Sequence, residues 1–486
     1  MTDNSLSIVV VGASGHLALH KLFPALFSLY SQDLLPGDFN IFGFARSKMD
    51  DSAFRRRVAE RLTCRYVPDT DCEKYTSGFL RRCHYHEGQY GSADSFIALY
   101  DTMHTYEGNR RPDRLFYLAV PPDVFTDAAR SIAAAGMVNC DADEPWSRVV
   151  TEKPFGKDRS SSDAMSAELA EVFTENQTFR IDHYLGKEIV QNLMVLRFAN
   201  AVFEPLWNSR YIDSVQITWK ENTGVEQRAR YFDNYGIIRD VMQNHLMQIM
   251  ALVAMEKPSS AAAGPVRDAK TAVLRSVQPP AASDFALGQY RAGNGHRAYV
   301  REDGVPANST TPTFAAAVFK VNNPRWKNVP FALCAGKGTD ERLSEVRIRF
   351  NAVPENIFCP HPACLPPNEL VIRIQPDEGI RLSVINKVPG LETRLAGTDL
   401  DLSYSAAFGR EIPDAYERLL LDVISGDRSL FIRSDELAAA WDIFTPALHG
   451  IEKSAVKPEP YEFGAPGPAS AMNLLREQYP PVSEAE

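Results

Sequence analysis

Short apolar runs alternate with helical patterns in the first part of the chain. SIVVV is a β-branched run that ends at glycines, and HLALHKLFPALFSLY follows with leucines at helical spacing. Further apolar runs, FNIFGFARS, RLFYLAVPP and RVVTEKPFG, end in turn-forming or strand-breaking residues. Strands that alternate with helices predict a doubly wound, mainly parallel α/β sheet over about the first 180 residues.

The pattern changes in the rest of the chain. VQITWKE, FAAAVFKV, PFALCAGK, EVRIRF and ELVIRIQP are predicted strands, and few helices separate the last four. One long helix, IIRDVMQNHLMQIMALVAME, comes early, while DAYERLLLDVIS and SDELAAAWDIFTPALHGIEK come late. Because 486 residues exceed one ordinary core, we predict an α/β domain over 1–180 and an α+β domain with a large antiparallel sheet over 181–486.

Composition and charge narrow the choice of partners. The chain is 44% hydrophobic and 23% charged, with a net charge of -10 and no long run of lysine and arginine. This balance argues against nucleic acid or anionic lipid as the main partner. No apolar run is long enough to cross a bilayer, and MTDNSLSIVVVGASG lacks the basic segment of a signal peptide. We therefore expect a cytoplasmic protein.

The seven cysteines are sparse, which predicts reduced thiols in a reducing compartment. Two groups combine cysteine with histidine: Cys72 with CHYH at 83–86, and CPHPAC at 359–364. Neither offers four ligands at the spacings of a structural zinc site, so we predict no metal site.

A glycine-rich turn follows the first predicted strand. GASGHLA places Gly12, Gly15 and Ala18 where backbone amides and a helix N-terminus can approach a diphosphate. This strand–turn–helix context indicates a Rossmann domain that binds a dinucleotide. The second strand ends in GFARS, and an arginine there accommodates the 2′-phosphate of NADP. The pattern alone leaves Arg46 equally compatible with an exposed strand-end arginine, and Lys21 with a surface lysine.

RIDHYLGKE, at 180–188, concentrates titratable side chains in nine positions. Ile181, Leu185 and Ile189 lie at helical spacing, which predicts an amphipathic helix. His183 and Lys187 are four apart and would then share a face. An ordinary solvated helix face is the alternative interpretation.

Together these motifs resemble the glucose-6-phosphate dehydrogenase family. GASGHLALHKLFPALF, GFARS, YLAVPP, EKPFGKD, RIDHYLGKE, YFDNYGIIRDVMQNH, LVIRIQP, PDAYERLLLDV and RSDELAAAWDIFTP occur in the family's order, from residue 8 to about residue 446. The resemblance implies an N-terminal Rossmann domain, a C-terminal domain on a large antiparallel sheet, and a homodimer or homotetramer. It also implies oxidation of glucose 6-phosphate at C1 by NADP to the lactone, the entry to the pentose phosphate pathway.

The resemblance assigns roles to individual residues. His245 would be the base that takes the C1 hydroxyl proton, and Asp182 would orient and stabilise it. Lys153 would lie between cofactor and sugar, before a cis Pro154. The implied substrate-binding residues are Lys153, His183, Tyr184, Lys187, Glu221, Asp240, Lys337, Arg342 and Gln375. The implied cofactor-binding residues are Gly12, Ala13, Ser14, Gly15, His16, Leu17, Arg46, Tyr117 and Lys153.

The chain departs from the family's pattern in two places. His16 stands where an aspartate is usual, which leaves open how strongly NADP is preferred to NAD. For the second, structural NADP of some members, Arg347, Arg373 and Asp401 match, whereas Cys334, Leu343, Arg381, Ser383 and Pro466 do not. We therefore expect that second site to be absent or degenerate.

Two other functions remain as alternatives. The first is a related sugar dehydrogenase with a different or unphosphorylated substrate, against which His183, Tyr184 and Lys187 argue as a phosphate-binding set. The second is a non-catalytic NADP-binding sensor, against which Asp182 and His245 argue because a sensor needs no general base.

Overall fold

The computed structural model describes residues 5–139, 145–358, 365–454 and 456–478. Contacts within the chain define two compact units. The first comprises Met1–Gly186, Ala261–Arg267 and Pro413–Leu437, and the second Lys187–Ser260, Asp268–Ile412 and Ala438–Glu486. The first unit thus ends later than the predicted boundary at 180 and includes two later segments.

The first unit is built on a six-stranded parallel sheet. Its strands are β1 (Leu6–Val11), β2 (Phe39–Ala45), β3 (Cys83–Glu87), β4 (Asp113–Leu118), β5 (Ser147–Glu152) and β6 (Thr178–Ile181). Its order is β3-β2-β1-β4-β5-β6. The helices between them are α1 (Phe23–Ser31), α2 (Asp51–Ala59), α3 (Asp69–Arg81), α4 (Ala93–Glu107), α5 (Phe125–Ala134) and α6 (Arg159–Ala170). The predicted doubly wound fold is confirmed, because the strand order reverses next to β1.

The second unit contains a ten-stranded sheet. Its strands are β7 (Ile212–Glu221), β8 (Val277–Gln278), β9 (Phe285–Arg291), β10 (Phe314–Val321), β11 (Pro330–Lys337), β12 (Leu343–Phe350), β13 (Glu369–Gln375), β14 (Gly379–Lys387), β15 (Leu395–Ser403) and β16 (Glu459–Glu462). The order is β15-β14-β13-β12-β7-β11-β10-β9-β16, with β8 paired to β10. The predicted large sheet is confirmed, although β7–β11 and β9–β16 are parallel pairs within it.

The remaining helices are α7 (Glu188–Phe198), α8 (Ala229–Ile237), α9 (Met247–Ala254), α10 (Ala263–Arg275), α11 (Tyr404–Phe408), α12 (Ala415–Ser425), α13 (Ser434–Lys453) and α14 (Ala469–Gln478). Packing explains why α12 belongs to the first unit. Its Leu419 and Val423 are fully buried in the same core cluster as Phe23 of α1, and Arg148 of β5 donates a hydrogen bond to the Val423 carbonyl at 2.6 Å. Within the described ranges, the helices are too short or too polar to cross a membrane.

Cys64 and Cys72 form a disulfide, so the prediction of reduced thiols is wrong for this pair. The segment between them folds back as α3 begins, which brings the two Cα atoms to 5.7 Å, within disulfide range. Cys83 and Cys334 are free and buried. The CPHPAC group at 359–364 lies outside the described residues.

Candidate active site

The glycine turn after β1 is held by backbone hydrogen bonds. The amides of Gly12 and Ala13 donate to the Phe44 carbonyl at 2.7 and 3.3 Å, and the Gly15 amide donates to the Gly12 carbonyl at 2.9 Å. Gly12 has φ +90°, and a Cβ there would lie 2.3 Å from the Ala119 oxygen. Only glycine fits this position. The result is a backbone-lined cradle before a helix N-terminus, and such a cradle fits a diphosphate.

Two arginines lie on elements next to this turn. Arg46, directly after β2, is exposed, and its guanidinium carbon lies 5.2 Å from the Tyr90 ring centroid. Arg57 of α2 donates to the Ser14 carbonyl at 3.4 Å, and the Ser14 and Ser47 hydroxyl oxygens are 3.0 Å apart. Sequence reasoning missed Arg57 because only the packing of α2 brings it to the turn.

A π-helical segment, Ala18–Leu22, follows the turn and continues into α1. His16 stacks on His20, with ring centroids 4.1 Å apart. Lys21 forms an ion pair with Asp414 at 2.9 Å, so its charge is already balanced by a carboxylate. Leu17 is half-buried and packs against the core of the first unit.

Tyr117, Glu152 and Tyr416 meet at the ends of β4 and β5 in the first unit. The buried Tyr117 hydroxyl donates to Glu152 at 2.6 Å, and the Tyr416 hydroxyl donates to the same carboxylate. Burial raises the pKa of Glu152 to about 7, although both hydrogen bonds and the charge of Lys153 act in the opposite direction. Lys153 follows, and its peptide bond to Pro154 is cis, as predicted. Neither Glu152 nor Tyr416 was predicted as a site residue.

The segment at 180–188 does not form the predicted amphipathic helix. β6 ends at Ile181, a turn covers 183–186, and α7 begins at Glu188. The Asp182 carboxylate accepts a hydrogen bond from the Tyr184 amide at 3.0 Å, as aspartates do in tight turns. The apolar positions are buried as the pattern implied, but in three different local structures.

The predicted residues in this segment therefore do not share a helix face. Asp182 is buried, with 2% exposure. His183 is half-buried, and its ring is nearly parallel to that of Tyr416, with centroids 6.3 Å apart. Tyr184 is buried. Lys187, in the second unit, is the N-cap residue of α7, where the helix dipole favours an anion.

Asp240 and His245 lie in a π-helical segment, Ile238–Leu246, where a regular helix was predicted. Both are buried. A π-helix repeats its hydrogen bonds from i to i+5, so residues five apart lie on the same side, which an α-helix does not provide. Such segments frequently occur at functional sites. The His245 amide also donates to the Asn244 side-chain oxygen at 2.6 Å.

The structure brings Lys337 and Glu221 together at the ends of β11 and β7, where they are register partners. The lysine Nζ lies 2.6 Å from the Glu221 carboxylate and 5.0 Å from the Trp219 ring centroid. Arg342 is exposed before β12, and Gln375 is the last residue of β13.

The arginines that match the structural NADP site form ion pairs with carboxylates of this chain. Arg347 forms ion pairs with Glu345 and Glu369, and Arg373 pairs with Glu345 at 2.8 Å. A second nucleotide would have to displace these carboxylates, which supports the prediction that it binds weakly.

The doubly wound sheet and its glycine turn define a dinucleotide-binding domain, and the comparisons with known proteins identify the chain as an oxidoreductase of the dehydrogenase class. Two family models match it: "Glucose-6-phosphate dehydrogenase, NAD binding domain" over residues 9–192 and "Glucose-6-phosphate dehydrogenase, C-terminal domain" over residues 194–480. The chain belongs to the glucose-6-phosphate dehydrogenase family.

Similar proteins match over almost the whole chain. Glucose-6-phosphate 1-dehydrogenase 3, chloroplastic, from Arabidopsis thaliana is 50% identical over 479 residues, which cover 97% of this chain and 79% of the relative. The cytoplasmic isoform from Solanum tuberosum is 47% identical over 479 residues, covering 97% and 91%. A solved glucose-6-phosphate dehydrogenase in complex with glucose 6-phosphate is 39% identical, covers 100% of both chains and has a TM-score of 0.92.

Proposed function

We propose that the protein oxidises D-glucose 6-phosphate at C1 to 6-phospho-D-glucono-1,5-lactone and transfers a hydride to NADP, giving NADPH. This is the first step of the oxidative pentose phosphate pathway. The observation that carries the proposal is the match of both family models over residues 9–192 and 194–480.

In the proposed reaction, one proton and one hydride leave the C1 carbon and its hydroxyl group. His245 accepts the proton of the C1 hydroxyl, and the hydride leaves C1 as the carbonyl forms. Asp182 orients the imidazole and stabilises its cation. NADP, when bound, supplies the hydride acceptor. The lactone, NADPH and one proton are the products.

The other residues bind and orient. His183, Tyr184 and Lys187 hold the sugar phosphate, and the position of Lys187 at the start of α7 supports this assignment. Glu221 and Asp240 accept hydrogen bonds from sugar hydroxyls. Lys337, Arg342 and Gln375 complete the substrate-binding set, and Lys153 orients both substrate and cofactor.

The cofactor is proposed to be NADP, bound by Gly12, Ala13, Ser14, Gly15, His16, Leu17, Arg46, Tyr117 and Lys153. The cradle at Gly12 fits the diphosphate, and Arg46 with Arg57 supplies positive charge on the elements beside Ser14. These arginines favour a 2′-phosphate over a free ribose hydroxyl.

The assay for the function is NADPH formation at 340 nm. Wild-type protein receives glucose 6-phosphate or glucose, each with NADP or NAD. Turnover that needs the sugar phosphate supports the proposal. Turnover indifferent to it would indicate the related sugar dehydrogenase, and tight NADP binding without turnover would indicate the sensor.

Gly12→Ala is expected to weaken NADP binding by at least about tenfold, because a Cβ would collide with the Ala119 carbonyl and distort the cradle. Gly37→Ala is the matched control, since its Cβ would meet nothing within 4 Å. Fluorescence titration with NADP measures both. Equal affinities of the two variants would contradict this role of the turn.

The proposed assembly is a homodimer or homotetramer formed through the sheet of the second unit. Leu400 and Leu402 lie on one side of β15 and are 60% and 39% exposed. Light scattering after size exclusion should give at least twice the 54.2 kDa chain mass. Leu400→Asp should shift it toward the monomer. A monomeric wild type at micromolar concentration would refute this assembly.

The proposed compartment is the cytoplasm. Imaging of the full-length chain with a C-terminal fluorescent tag tests this, and plastid fluorescence would overturn it.

A further inference from the structure

Glu152 is a buried carboxylate of the first unit to which the proposed mechanism gives no role. It is the last residue of β5 and is 9% exposed. Its acceptor atoms receive hydrogen bonds from Tyr117 of β4, at 2.6 Å, and from Tyr416 of α12. A buried charge is costly unless hydrogen bonds and opposite charge compensate it. The presence of a carboxylate at this position therefore needs an explanation.

We propose that Glu152 is a positioning residue for the reaction: its ionised form holds Tyr117, Tyr416 and Lys153 in the arrangement that turnover requires. The inference rests on the proposed function, because it names what orients groups assigned to cofactor and substrate. Glu152 acts through these neighbours.

The hydrogen bonds of the two tyrosine hydroxyls depend on the charge state of Glu152. An ionised carboxylate only accepts hydrogen bonds, so it can satisfy both hydroxyl donors. Protonation turns one of its oxygens into a donor and weakens the hold on a buried tyrosine hydroxyl. It also removes the negative charge next to Lys153. Neutral and ionised Glu152 therefore support different local arrangements.

The contacts of these tyrosines extend to residues of the proposed reaction. Tyr117 belongs to the proposed cofactor-binding set. The Tyr416 ring lies nearly parallel to that of His183, at 6.3 Å between centroids, and His183 belongs to the proposed phosphate-binding set. A shift of either tyrosine would move a group that contacts cofactor or substrate.

The charged and titratable groups that act on Glu152 come from four elements. They are Tyr117 on β4, Lys153 after β5, Asp182 after β6 and Tyr416 on α12. Burial and the charge of Asp182 disfavour ionisation, whereas Lys153 and the tyrosine hydrogen bonds favour it. Because the pKa is raised to about 7, the active, ionised form is lost as the pH falls through that value.

The test is the pH profile of kcat/KM for glucose 6-phosphate with saturating NADP. In the wild type, both His245 and Glu152 must lose a proton, so the acid limb should have a slope of about two in a log plot. Glu152→Gln keeps the size but cannot ionise. We expect a slope of about one and kcat/KM about tenfold lower at pH 8. Glu87→Gln is the matched control, because Glu87 ends β3 of the same sheet but is exposed.

Tyr416→Phe provides a second measurement if the Gln variant does not fold. It keeps the ring and removes one donor that favours ionised Glu152. The acid limb should therefore move to higher pH, by about one unit. An unchanged limb in Tyr416→Phe, or a slope of about two retained in a folded Glu152→Gln, would overturn the positioning role. Wild-type protein inactive on glucose 6-phosphate would overturn the proposed function first and this inference with it.

Discussion

His245→Asn is expected to lower kcat for glucose 6-phosphate oxidation by about a hundredfold or more, because asparagine cannot accept the C1 hydroxyl proton. The amide keeps much of the polar character of the imidazole, so substrate and NADP binding should change little. His245 is buried in the π-helical segment Ile238–Leu246, which makes a solvent route for the proton less accessible. The loss should appear in kcat and kcat/KM alike.

Steady-state kinetics measure kcat and kcat/KM, and a fluorescence titration measures the affinity for NADP. His449→Asn is the matched control, since His449 is exposed on α13 of the same compact unit. Asp182→Asn should lower kcat by a smaller factor than His245→Asn. If Asp182 acts through His245, the double variant should be no slower than His245→Asn alone. Activity within a few-fold of wild type in folded His245→Asn would eliminate this base.

Lys187→Ala is expected to raise KM for glucose 6-phosphate by about thirtyfold, while kcat/KM for unphosphorylated glucose changes little. The lost charge-assisted contact contributes about 2 kcal/mol, and every 1.4 kcal/mol corresponds to about tenfold. Lys187 is the N-cap residue of α7, so its ammonium and the helix dipole both favour an anion there. His183→Ala should act in the same direction and less strongly.

The decisive quantity is the ratio of kcat/KM values for glucose 6-phosphate and glucose. Lys257→Ala, which removes an exposed lysine of the same unit, serves as control and should leave the ratio unchanged. An unchanged ratio in Lys187→Ala would mean that Lys187 does not recognise the phosphate. It would also favour the related sugar dehydrogenase over the proposed enzyme.

The sheets were predictable because their signals are local. In the first unit, β1, β2, β4 and β5 are apolar runs bounded by glycine, proline or charge, and parallel strands are buried on both faces. β3 (CHYHE) and β6 (TFRI) lack such a run and were not predicted. The same signal was ambiguous at 180–188. Ile181 and Leu185 are buried at helical spacing, yet one lies in a strand and the other in a turn. The spacing of apolar residues indicates which positions are buried, but not which secondary structure buries them. A turn stabilised by an aspartate can bury the same positions as a helix.

The candidate site was only partly predictable, because some of its contacts join distant parts of the chain. Glu152 and Tyr416 are far apart in sequence, and only the packing of α12 against β4 and β5 brings the second tyrosine to the carboxylate. The Cys64–Cys72 disulfide lies outside this site and joins residues only eight apart; the sequence did not indicate it because the chain folds back at the start of α3. The residue roles taken from the resemblance remain predictions.

The π-helical segment Ile238–Leu246 constrains the number of residues between Asp240 and His245 as well as their identity. A π turn holds one residue more than the α turn it replaces. Loss of any single codon between Asp240 and His245 would let the segment form an ordinary α-helix. The imidazole of His245 would then rotate relative to the carboxylate of Asp240. Among natural variants of this chain, in-frame deletions should therefore be tolerated in exposed loops such as 389–393, between β14 and β15, and eliminated between these two residues.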